Sequence, residues 1–142
     1  MSLENLSKQE LQDKFELFLF NLSEQQQDFI KKAEKDDFNF DYTLDSLQLL
    51  EKYLIKKEVT IKDDEYNDAA AYFGEVVRKN IGGKWKCSLD EKNNGLHYGL
   101  PVIFGHSKFE IELSPFHVVK IFLLRHRENH FLKVIENHVN PK

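Results

Sequence analysis

The chain has 142 residues, 41% of them hydrophobic and 13% aromatic, enough apolar material for one core without disulfide or metal staples. Twenty basic residues against 24 acidic ones give a formal net charge of −4, which argues against a general nucleic-acid binder. The lone Cys87 cannot form an internal disulfide or a cysteine metal cage, and no apolar run approaches the roughly 18 residues of a membrane span. With its polar start "MSLENLSKQE" the chain reads as soluble and cytoplasmic, with no membrane attachment.

Ser7 and Glu10 form a capping box, and Leu11, Phe15, Phe18 and Leu22 follow on one helical face that can continue to Phe29 and Ile30. Ser23 with Gln26 offers a second cap, so a kink at "NLSEQQ" is expected. "EKDDFNFDYT" is a connection, and Thr43 caps a second helix that carries Leu44, Leu47, Leu50 and Leu54 inward. Asp63 or Asp64 starts a third helix with inward Ala69, Tyr72, Phe73, Val76, Val77 and Ile81, and Gly82 stands where a left-handed residue ends it.

After the glycines the period changes to two. "KWKCSL" places Trp85, Cys87 and Leu89 on one side, "DEKNNG" signals a hairpin turn, and "LHYGLPVIFG" gives a second extended segment. "KFEIEL" alternates Phe109, Ile111 and Leu113 with Lys108, Glu110 and Glu112 and reads as a third strand. Ser114 and Pro115 then start one long helix, from about Pro115 to His138. The expected fold is α+β: three N-terminal helices, a three-stranded antiparallel meander and a long C-terminal helix. It forms a single domain over 1–142, with 1–40 as a helical extension packed on a 41–142 core.

Several groups invite a chemical reading. "HRENH" places His126 and His130 four apart, a spacing that on one helix face chelates a metal, yet Arg127 and Asn129 stand where the zinc-protease motifs need glutamate. Ordinary histidines on a polar face are the simpler reading. Cys87 alternates with core residues, Ser114 is explained as a cap, and Ser88 lacks a following helix, so no nucleophile stands out. "NIGGKW" runs from helix to strand, the reverse of a phosphate loop, and a helix C-terminus repels anions. Lys84, Lys86, Lys92, His97 and Tyr98 can share a basic-aromatic sheet face, but no nucleic-acid motif accompanies them. Glu110 and Glu112 read as a solvated strand face. Glu75 lies among apolar residues and is the candidate catalytic carboxylate; three and four residues before Arg78 and Lys79, it also suits a helix ion pair. Gly74 is costly within a helix, which implies close approach of another element.

The segment "AAAYFGEVVRKNIGGKW", preceded by "LDSLQLLEKYL" and followed by "PFHVVK", resembles a family of small bacterial domains of unknown function. These share a tyrosine-glycine-glutamate stretch, a basic residue and a Gly-Gly-x-Trp element. The resemblance spans roughly Leu44 to Leu124 and leaves the first helix outside. It implies an α+β domain and supplies no catalytic residues. By analogy with relatives suspected of toxin–immunity roles, it implies a protein that acts by binding and blocking another.

Two functions follow as expectations. The first is a non-enzymatic protein-interaction module of a bacterial cytoplasm, of immunity or regulatory type, its acidic stretch from Glu34 to Glu75 facing a basic partner. The second is a small hydrolase or ligand-binding domain using Glu75 with a nearby histidine or glutamate, with Glu75, Arg78, Trp85, His97 and Tyr98 as the binding set. Neither implies a cofactor, and the chain is expected to be a monomer or a homodimer.

Overall fold

The structure, a computed structural model, describes residues 7–89, 98–106 and 111–139. Helix α1 (Lys8–Glu34) opens on the expected capping box: Ser7 Oγ accepts from the Glu10 amide at 3.1 Å, and the Glu10 carboxylate accepts from the Ser7 amide at 3.2 Å. The helix runs through Ser23 without a break, and Leu11, Phe15, Leu22, Phe29 and Ala33 are buried along it. Helix α2 (Ser46–Lys56) starts three residues after Thr43, whose hydroxyl accepts from the Ser46 amide at 3.2 Å.

Helix α3 (Asp64–Asn80) is the axis of the fold. Every residue from Ala69 to Val77 is buried except Glu75. A helix covered on nearly all sides needs small residues where neighbours press closest, and "AAA" at Ala69–Ala71 with Gly74 meets that need. Tyr72 joins Phe29, Phe40 and Tyr42 in ring contacts with centroids 4.9–6.1 Å apart. Its hydroxyl accepts from the Tyr42 amide at 2.9 Å and bonds Ser46 Oγ at 2.6 Å. Each side chain fully buried in such a cluster contributes roughly 1.5–3 kcal/mol.

The helix ends at Ile81, and Gly82 and Gly83 follow with φ of 122° and 95°. Gly83 is required for a second reason: a side chain there would crowd Ile103 and the backbone of Phe104 and His106 at 2.8–3.0 Å. Strand β1 (Lys84–Cys87) then pairs antiparallel with β2 (Pro101–Phe104), Trp85 opposite Ile103.

Two expectations are corrected here. The sheet has two strands among the described residues, not three. Leu113 meets Ile103 in a single bridge, with bonds of 2.8 and 2.9 Å, and goes no further because Ser114 caps and Pro115 begins the next helix. The turn "DEKNNG" and the start of "KFEIEL" lie outside the described residues. The long C-terminal helix is two helices, α4 (Pro115–Arg125) and α5 (His130–Val139). His126 and Asn129 take positive φ of 51° and 61° between them. The cause is distant in sequence: the buried carboxylate of Glu51 on α2 accepts from the amides of Asn129 at 2.9 Å and Phe131 at 3.2 Å. These are donors that a continuous helix would have kept to itself.

Candidate functional site

The helix-to-strand corner around Glu75 was the strongest chemical candidate in the sequence. Its side chain is 13% exposed, and one oxygen, Oε2, receives both the Arg78 guanidinium and the indole N–H of Trp85, the latter at 3.1 Å. The Trp85 ring lies directly on Gly74, where a side-chain methyl would overlap it and would also stand 3.2 Å from Pro115 Cγ. Phe18 meets the ring edge-on, with centroids 5.0 Å apart. Gly74 makes room for the indole, Glu75 holds its N–H and Phe18 covers it. The charge of Glu75 also reaches Tyr42, whose pKa is pushed up to about 12, first by burial and then by this carboxylate. Among the described residues the polar groups bonded to Glu75 are these two donors. The cleft along β1, about 510 Å³ in volume, is lined by Gly83, Lys84, Trp85, Lys86, Phe104 and Gly105 rather than by Glu75.

The other members of the expected set are spread across the fold. Arg78 is held by Glu75, and Tyr98 packs on the small cluster of Leu11, Phe15 and Cys87. His97, Lys92 and Glu110 lie outside the described residues. Glu112 accepts from Ser88 Oγ at 2.8 Å and has Lys86 at 4.0 Å, a carboxylate with partners of its own. Cys87 is buried with its thiol aimed at the Leu11 carbonyl 3.8 Å away, and burial, followed by the charge of Glu112, pushes that thiol up and away from the reactive thiolate. Lys84 and Lys86 are exposed beside Phe104, with Lys86 Nζ 4.7 Å from that ring.

His126 and His130 do not share a helix face. His126 ends α4 in the left-handed region, while His130 opens α5, its Nε2 3.0 Å from the Val118 carbonyl. Burial lowers the pKa of His130 and of His106, whose Nε2 lies 3.1 Å from Nδ1 of His138. Among the described residues no three histidines, cysteines or carboxylates gather in a metal-holding group.

The feature the sequence reading passed over is on α1. Phe20 is 85% exposed, Leu17 60% and Leu19 40%, in a helix whose other face is fully packed. Leu17 stands one turn before Asn21 on the stripe that continues through Glu24 and Asp28 into a groove against α3. That groove, about 480 Å³, also presents Asp64 and Asp68. Among the described residues its one cation, Lys32, is 3.2 Å from Glu65 and so already engaged. Burial raises the pKa of Asp68, whose Oδ1 accepts from Gln25 at 3.0 Å. A signal was present: "LFLF" at Leu17–Phe20 is four apolar residues in a row, and a helix can bury such a run on one side only.

Comparison with protein-family models, curated proteins and solved structures found no match to this chain.

Proposed function

We propose that the protein is a non-enzymatic interaction module that docks another protein on the exposed face of α1, in the manner of an immunity or regulatory protein. One observation carries this reading: Leu17 and Phe20 project from an ordered, capped helix at 60% and 85% exposure, beside a polar groove. Lone exposed apolar residues are ordinary, but two large ones a turn apart on a rigid helix form the apolar centre with a polar rim that protein interfaces use. Support also comes from Glu75. Bound by Arg78 and Trp85, it serves the packing of the indole.

The test is affinity capture from the native host, with the wild-type chain and Phe20→Ala side by side. A stoichiometric protein retained by the wild type and lost with the variant is the expected result. A partner held equally by both, or none held by the wild type, overturns the reading.

A further inference from the structure

We infer that the α1–α3 face receives a basic amphipathic helix of the partner protein, with apolar side chains on Leu17 and Phe20 and an arginine or lysine in the groove beside Asp28 and Asp64. This rests on the docking face proposed above and adds the chemistry and shape of what occupies it.

The chemistry follows from charge. Glu24 and Asp28 on α1 face Asp64 and Asp68 on α3, and Glu65 already holds Lys32, the cation of the groove. Asp68 accepts from Gln25, and Glu24, Asp28 and Asp64 stand beside it as a group of like charges whose repulsion an incoming cation relieves. An anionic membrane surface or an acidic segment meets repulsion at the same place.

The shape follows from the walls. Both are helices, α3 presenting its first two turns, so an extended segment finds no strand edge to pair with, whereas a helix can lie in the trough. The spacing is fixed as well. Asp28 lies eight residues after Phe20 and eleven after Leu17, about 12–17 Å at 1.5 Å per residue. The partner helix therefore carries its cation two to three turns from its apolar anchors.

The chain's own basic residues near exposed Leu124, Arg125 and Arg127, offer a second copy as the rival occupant. Such a contact joins two different faces, so it propagates head to tail rather than closing as a simple dimer.

Three fluorescent helical peptides of about 14 residues, with identical apolar anchors, form the probe. They carry arginine, glutamine or glutamate two to three turns from the anchors, and anisotropy is followed with the full chain. The arginine peptide is expected to bind about tenfold more tightly than the glutamine one, and its advantage to shrink with added salt. Asp28→Lys combined with Asp64→Lys should reverse the order, and Phe20→Ala should weaken all binding. These positions are exposed apart from the groove wall, and circular dichroism of each variant confirms that it folds.

Equal binding of the arginine and glutamine peptides, still sensitive to Phe20→Ala, overturns the basic chemistry and leaves the docking face standing. Arginine-peptide binding indifferent to Phe20→Ala overturns both. No binding by any peptide overturns the inference alone, provided the captured partner remains Phe20-dependent. Concentration-dependent mass in light scattering, abolished by Phe20→Ala, replaces the partner with a second copy and also overturns it.

Discussion

Gly74 and Glu75 show how two adjacent residues divide one task. A methyl at Gly74 would overlap the Trp85 ring, and that ring cannot slide freely because Glu75 holds its N–H and Phe18 covers it. In an open helix Gly74→Ala would stabilise by about 1 kcal/mol. Here the overlap should win, at a net cost of about 1–3 kcal/mol. Urea denaturation measures the loss, and Trp85, the single tryptophan, reports the displacement by its emission. Glu75 separates two roles of its own. Glu75→Gln keeps an acceptor for the indole and loses only a partly exposed ion pair, so it should cost under about 1 kcal/mol. Glu75→Ala strands the indole N–H and should cost about 1–3 kcal/mol. Equal losses from the two variants would show that the indole bond contributes nothing. The need for close approach at Gly74 was legible in the sequence, because glycine is expensive within a helix. The contact itself was not: nothing local placed the Trp85 ring on Gly74 or its N–H on Glu75.

At the scale of elements, the helix starts were readable and the helix break was not. Ser7 with Glu10, and Ser114 with Pro115, are local chemistry, and each cap forms as local chemistry dictates. The break between α4 and α5 is decided by Glu51, some 80 residues away, and no window of sequence contains both. The third strand failed for a related reason. Alternation from Lys108 to Leu113 states which residues prefer one side, but not whether an edge is free for more than Ile103. Glu51→Ala should therefore loosen α5 selectively. Amide exchange should quicken from Asn129 to Val139 while α3 stays protected, with a global loss of about 1–3 kcal/mol.

Acid should loosen the same end of the molecule. Burial lowers the pKa values of His106, His117 and His130 below the ordinary 6.5. Below about pH 6.5 the unfolded chain then binds more protons than the folded one, so stability falls as pH drops through that region. Glu51 acts in the opposite sense: its pKa is raised, so its ionised form is disfavoured in the fold and stability is regained as pH falls toward its ordinary 4.5. Denaturation midpoints between pH 7.5 and about 6 should decline as the histidines protonate in the unfolded chain. A flat profile there, repeated in Glu51→Gln, would show that the three rings titrate as they do in the unfolded chain.

For the whole molecule, the division is between a packed axis and an unpartnered outer face. The buried surface of α3 leaves only Glu75 partly open between Ala69 and Val77, whereas α1 keeps Leu17 and Phe20 in water. No helix among the described residues is long and apolar enough to cross a membrane. Acidity was legible as a run in the sequence, but its assembly was not, because Glu24 and Asp28 reach Asp64 and Asp68 only once α1 lies along α3. Phe20 was missed because the helical pattern around it reads fully through Phe15, Phe18 and Leu22, and its only mark is the unbroken run Leu17–Phe20, which one helix face cannot bury whole. Its exposure makes a sharp distinction available. Phe20→Ala should change stability by less than about 0.5 kcal/mol, since it removes nothing from the core.

The most direct measurement is a titration of the captured partner, purified, against the wild-type chain and Phe20→Ala by calorimetry. An anchor at the centre of an interface costs about 2 kcal/mol or more when truncated, so the variant should bind about thirtyfold more weakly with its thermal stability intact. An unchanged dissociation constant would place the interface elsewhere and contradict the account.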